Sequence, residues 1–213
     1  MDLRLYAVTD RSYLNGITLV EAVEMAIKGG ATIIQLREKN IGGREFYGLA
    51  LKVKEVTGLY NIPLIINDRV DVALAVDADG VHVGQEDLPA DVVRRMIGPG
   101  KILGVSAKTV EEGIKAQRDG ADYLGVGAVY STLTKPESDA IGLERVKMIK
   151  EAVDIPVVAI GGITLENAYE VMVKTGVDGL STVSAVFSGD IEKNARLLIK
   201  EIERAFKDRN QSM

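Results

Sequence analysis

The chain has 213 residues, 46% of them hydrophobic and 27% charged, a formal net charge of −5 and a pI near 5.1. That is enough apolar chain for one globular domain, expected to span residues 1–213. The acidic balance argues against a nucleic-acid surface, and the absence of cysteine excludes disulfides, thiolate metal sites and cysteine nucleophiles.

Short runs rich in Val and Ile alternate with longer amphipathic segments. The runs are Leu3 to Val8, Thr32 to Arg37, Pro63 to Ile66, Gly80 to Val83, Lys101 to Val105, Asp122 to Val126, Pro156 to Ile160 and Asp178 to Ser181. Each reads as a buried strand. Between them, Thr18 to Lys28, Gly43 to Val56, Thr109 to Arg118 and Thr164 to Val173 read as helices, with Thr164 an N-cap candidate. Only a short helix fits between Asp68 and Gly80. The last segment places Ile191, Ala195, Leu198, Ile199, Ile202 and Phe206 on one stripe, as a helix covering a sheet does. Glycines stand just before three strands, in Gly29-Gly30-Ala31, Gly120-Ala121-Asp122 and Gly176-Val177-Asp178, where left-handed caps end the preceding helices.

Eight strand–helix units predict an α/β fold, an eight-stranded parallel (β/α)8 TIM barrel. An open doubly wound sheet is the alternative, because periodicity does not register closure. No apolar run approaches the ~20 residues of a membrane helix, so no membrane partner is expected. The start Met1-Asp2-Leu3-Arg4 lacks a secretory pattern, which leads to an expected cytoplasmic location.

Active sites of such barrels lie at the carboxyl ends of the strands. Alternation puts Ile33, Gln35, Arg37 and Lys39 on one face, apolar at its base and cationic at its end. Two buried cations without local carboxylate partners point to an anionic ligand; a solvated charged loop is the plainer reading. Asn67 and Asp68 follow the third strand, and Asp87 follows the fourth. Each aspartate taken singly is a good helix cap, but together beside Arg37 and Lys39 they resemble a Mg²⁺ site. Ser106 ends the fifth strand, either at the rim or as a cap. The loop from Ala128 to Pro136 carries Thr132, Thr134 and Lys135, a phosphate-binding lid or merely a polar loop. Gly161-Gly162 after the seventh strand and Val183-Ser184 after the eighth occupy the usual phosphate position of this fold. His82, the single histidine, is read as structural and pointing to the covering helices, with Val81, Val83 and Gln85 on the opposite face. Tyr6 is read as core or pocket wall.

In order along the chain, Leu5-Tyr6-Ala7-Val8-Thr9-Asp10, Gln35-Leu36-Arg37-Glu38-Lys39, Asn67-Asp68-Arg69, His82-Val83-Gly84-Gln85-Glu86-Asp87-Leu88, Gly104-Val105-Ser106, Ser131-Thr132-Leu133-Thr134-Lys135, Ile160-Gly161-Gly162-Ile163 and Val183-Ser184-Ala185 closely resemble the thiamine-phosphate synthase family. The resemblance runs from the first strand to the eighth. It implies a Mg²⁺-dependent transferase that joins a hydroxymethylpyrimidine diphosphate to a thiazole phosphate, releasing pyrophosphate. It implies that Gln35, Arg37, Lys39, Asn67, Ser106 and Lys135 bind the pyrimidine diphosphate, with Arg37, Lys39 and Lys135 catalytic, and that Leu36 and Glu38 are also substrate-binding. Asp68 and Asp87 hold the metal, and Thr132, Leu133, Thr134, Gly162, Val183 and Ser184 bind substrate on the thiazole phosphate side. The implied partners are these small molecules, and a homo-oligomer is compatible with the sequence. A thiazole tautomerase on the same barrel, which lacks much of the diphosphate and metal set, and a non-catalytic binder are the rival readings.

Overall fold

The computed structural model describes residues 1–131 and 139–211. Its strands are β1 (Leu5–Val8), β2 (Ile33–Leu36), β3 (Leu64–Asn67), β4 (Gly80–Val83), β5 (Ile102–Ala107), β6 (Tyr123–Gly127), β7 (Val157–Ile160) and β8 (Gly179–Thr182). They pair in parallel in chain order, and β8 returns to β1 through Leu5 opposite Leu180 and Tyr6 opposite Ser181. That last pairing closes the barrel and disposes of the open-sheet alternative. The connecting helices are α1 (Leu19–Gly29), α2 (Gly43–Leu59), α3 (Val70–Ala75), α4 (Ala90–Ile97), α5 (Val110–Arg118), α6 (Gly142–Ala152), α7 (Leu165–Thr175), the single turn α8 (Ser184–Phe187) and α9 (Ile191–Gln211).

Two cores follow from strand alternation. Leu5, Ala7, Ile34, Leu36, Leu64, Ile66, Val81 and Val83 face outward and pack beneath the helices. Tyr6, Val8, Ile33, Ile65, Tyr123 and Val158 face inward and fill the barrel. On β1, β2, β3, β6 and β7 both faces are thus apolar near the base, as is usual for a parallel sheet. The helices are set by local signals. Thr18 and Glu21 form a reciprocal cap at the start of α1, while Gly30 (φ 112°) and Gly176 (φ 73°) end α1 and α7 in the left-handed region. α9 lays Ile191, Ala195, Leu198 and Ile202 against α1 and α7, as its stripe predicts. Among the described residues, no helix is long and apolar enough to cross a membrane.

One boundary differs in a way that matters. β5 continues to Ala107, two residues past the expected Val105, so Ser106 lies inside the strand. The cap of α5 is instead Thr109, whose hydroxyl accepts from the Glu112 N–H at 3.2 Å.

Candidate active site

The carboxyl end of β2 supplies the cationic strip. Gln35 is buried and shares the inner face with Ile33, as alternation predicts. The backbone N–H of Arg37 donates to Thr9 Oγ1 at 3.0 Å, tying the strip to the end of β1. The expectation that Arg37 and Lys39 lack carboxylate partners is corrected: Arg37 lies 3.9 Å from Asp10 Oδ2, and Lys39 Nζ bonds Asp68 Oδ2. These partners come from the neighbouring strand ends, β1 and β3, so they are remote in sequence and adjacent in space. Both cations are also partly exposed, at 25% and 48% of their side-chain areas, so water shares their solvation. Leu36 and Glu38 point elsewhere. Leu36 is packed in the outer core, and Glu38 accepts from Arg11 Nε at 2.8 Å, with burial pushing its carboxyl above the ordinary range. Neither side chain shares the inward face of Gln35.

Asn67 closes β3 on the inner face, opposite His82 of β4. Asp68 follows in the left-handed region (φ 60°), and its N–H donates to the His82 carbonyl at 2.8 Å. It does not cap α3, whose N-cap position is Arg69. Asp87 caps no helix either: its Oδ2 accepts from the Gly84 N–H at 2.7 Å, and the N-cap position of α4 is Pro89. Burial, and then the neighbouring charge of Asp68, raise the Asp87 carboxyl above the ordinary range. Two carboxylates that repel each other beside a mouth of cations suit a divalent ion. Among the described residues no group of three or more His, Cys, Asp or Glu could enclose a metal. Magnesium fits this donor set, since it takes one or two carboxylates and fills its shell with water and phosphate oxygens.

His82 contradicts the reading made from sequence. Its ring lies inside the barrel, with Nδ1 2.9 Å from Tyr123 Oη and Nε2 2.9 Å from Ser106 Oγ. Val81 and Val83 are the outward residues of β4. The error has a physical cause: with both faces of a parallel strand buried, a Val-His-Val alternation does not say which face is the lumen. A usable signal lay on β5 and β6. A Cβ on Gly104 would come within 2.2 Å of the Tyr123 hydroxyl and 2.4 Å of His82 Nδ1, and one on Gly125 within 3.0 Å of His82 Cε1. Those glycines clear the space for the ring. Burial pushes the His82 pKa down to about 4, and it raises the phenols of Tyr6 and Tyr123. The chain of contacts continues from Tyr123 Oη to Tyr6 Oη at 2.6 Å and on to Gln35 Nε2 at 2.8 Å. Tyr6 is therefore core and polar conduit together.

Across the mouth, β7 runs into Gly161 (φ 96°) and Gly162 (φ 67°). A Cβ on Gly162 would stand 2.6 Å from that of Tyr130, so both backbone angle and space demand glycine there. Asn167 pins the turn, donating from Nδ2 to the Gly162 carbonyl and accepting the Thr164 N–H, each at 2.9 Å. Val183 packs against the inner core at the end of β8, and Ser184 opens α8. Thr132, Leu133, Thr134 and Lys135 lie outside the described residues. A groove of about 810 Å³ lined by Leu14, Ile17, Leu49 and Leu59 lies between α1 and α2 and holds none of the rim carboxylates.

The profile of the thiamine monophosphate synthase family matches residues 5–186. The chain belongs to this family. It is 60% identical over 211 residues to the thiamine-phosphate synthase of Caldanaerobacter subterraneus subsp. tengcongensis, covering 99% of each chain. It is 52% identical to the synthase of Methanobrevibacter smithii, over 99% of this chain and 98% of that one. The solved thiamine phosphate pyrophosphorylase of Pyrococcus furiosus superposes with a TM-score of 0.88 at 46% identity, over 96% and 97% of the two chains. Family membership, the closed parallel barrel and the strand-end polar groups thus agree.

Proposed function

We propose that this chain condenses 4-amino-2-methyl-5-(diphosphooxymethyl)pyrimidine with 4-methyl-5-(2-phosphooxyethyl)thiazole, forming thiamine phosphate and releasing pyrophosphate. The observation that carries this reading is the convergence of Arg37, Lys39, Asp68 and Asp87 at one rim, in a chain that aligns end to end with synthases. Asp68 and Asp87 would hold Mg²⁺, which when bound supplies positive charge against a diphosphate. Arg37, Lys39 and Lys135 would neutralise the charge that grows on the leaving group as the carbon–oxygen bond breaks. The electron-rich aminopyrimidine can carry positive charge at its methylene carbon, and the thiazole nitrogen then forms the new bond with a lone pair already free. No general base is required. Gln35, Asn67 and Ser106 would orient the pyrimidine half, and Thr132, Thr134, Gly162, Val183 and Ser184 the thiazole phosphate, so that the reacting atoms meet. Leu36 and Glu38 would contribute backbone contacts, since their side chains do not share the inward face, and Leu133 would belong to the substrate-binding set. A cytoplasmic location belongs to the same proposal.

The decisive assay mixes both substrates with Mg²⁺ and follows pyrophosphate and thiamine phosphate together. Stoichiometric release of both supports the transferase. Conversion of a thiazole carboxylate without pyrophosphate release would establish the tautomerase, and saturable binding without turnover a binder.

A further inference from the structure

Five side chains form one unbranched hydrogen-bonded line across the barrel: Gln35, Tyr6, Tyr123, His82 and Ser106. They come from β2, β1, β6, β4 and β5; Gln35, Tyr6, Tyr123 and His82 are buried, and Ser106 is the partly exposed end. The direction of every hydrogen bond in it is determined by one end. Gln35 Nε2 has only protons to offer, so Tyr6 Oη accepts from it at 2.8 Å. The single Tyr6 proton must then go to Tyr123 Oη at 2.6 Å, and the single Tyr123 proton to His82 Nδ1 at 2.9 Å. An Nδ1 that accepts leaves the neutral ring with its proton on Nε2, which donates to Ser106 Oγ at 2.9 Å. The Ser106 proton is left over. Run the other way, the line would give Tyr6 a buried proton with no acceptor among the described residues, which is unfavourable.

We propose that the Gln35–Tyr6–Tyr123–His82 line is a positioning device that fixes His82 as the Nε2–H tautomer and thereby makes Ser106 a hydrogen-bond donor towards the bound substrate, while the Gln35 carbonyl is kept as an acceptor. His82, Tyr6 and Tyr123 are positioning residues in this scheme, acting through Ser106 and Gln35. An acceptor and a donor presented in fixed sense fit a heteroaromatic ring that carries a donating amine and an accepting ring nitrogen, and they disfavour an oxo analogue in which both polarities are reversed. Only this last step rests on the transferase reading; the sense of the line belongs to the protein alone.

The chain holds a single histidine, so ¹⁵N-histidine labelling yields one ring whose long-range nitrogen–proton couplings report the tautomer directly. The ligand-free wild-type protein is expected to show a neutral ring protonated at Nε2. A ring protonated at Nδ1, or at both nitrogens, in neutral buffer overturns the proposal, and this measurement needs no variant to fold. Gln35→Glu, measured where its carboxyl is ionised, offers only acceptors to Tyr6, so every bond should reverse and the proton should move to Nδ1. A folded variant that keeps the wild-type tautomer removes the claim that Gln35 sets the sense. Tyr123→Phe cuts the line and should lower kcat/KM for the pyrimidine diphosphate by about tenfold, the effect of one hydrogen bond, with KM for the thiazole phosphate unchanged. Equal losses for both substrates would show mere structural damage and count against the device. An enzyme with the expected tautomers but no transferase activity would leave the line standing and sink the assignment of function instead.

Discussion

The ends of β2, β3 and β4 meet the barrel mouth with side chains, Arg37, Lys39, Asn67, Asp68 and Asp87, whereas the end of β7 meets it with backbone, Gly161 and Gly162 in conformations a side chain would strain. The charged side is partly exposed, and its groups are held by bonds that reach across strands, Lys39 to Asp68 and Arg37 towards Asp10. The glycine side is held by packing, with Ala128 and Tyr130 occupying the space that Cβ atoms would need. Substitutions on the first side should therefore change chemistry and spare the fold. On the second they should cost stability as well, because the loop and the core beneath it are one piece of packing.

The largest effect expected from this contrast is on the carboxylate pair. Asp68→Asn combined with Asp87→Asn should lower turnover on the order of 10³-fold, the several kcal/mol that a bound divalent ion contributes, while the thermal midpoint stays near that of the wild type, since Asn tolerates the left-handed angle at position 68 and keeps an acceptor for the Gly84 N–H. Steady-state kinetics and a melting curve on one preparation check both halves; near-normal Mg²⁺-dependent turnover would dissolve the proposed metal site. Lys135→Ala should come next, with kcat reduced about 100-fold through lost charge on the leaving group. Should only the affinity for thiazole phosphate change, the lysine belongs with the glycine side.

Gly162→Ala should cost about 1–3 kcal/mol in denaturant unfolding, through the strained angle and the contact with Tyr130, and should raise KM for the thiazole phosphate. Unchanged stability would mean that the turn is held less firmly than its packing indicates. The smallest effect concerns Asp87 in Mg²⁺-free buffer. Its carboxyl titrates above the ordinary range in the folded protein, so the native state binds more protons than the unfolded chain between the two pKa values. Stability contributed at low pH is lost as the pH rises through the folded value, and Asp87→Asn should restore a few tenths of a kcal/mol at neutral pH, solvent screening keeping the gain small. A destabilised Asp87→Asn protein would show that the Gly84 contact outweighs the repulsion from Asp68.

The line through His82 starts at Gln35 on the charged side and crosses the barrel to Ser106 on β5. Gly104, which admits the Tyr123–His82 contact, is the residue on which its geometry most depends.

Sequence by itself determined the alternation of strands and helices, the caps at Thr164, Gly30 and Gly176, and the shared inner face of Ile33 and Gln35, because each rests on local periodicity or local backbone angle. Tertiary structure decided what depends on a partner from another strand. It closed β8 on β1, gave Arg37 and Lys39 their carboxylates, and turned Asp68 and Asp87 from cap candidates into a facing pair. It also turned His82 into the lumen, since a strand buried on both faces carries no label for its inner side until its neighbours are in place.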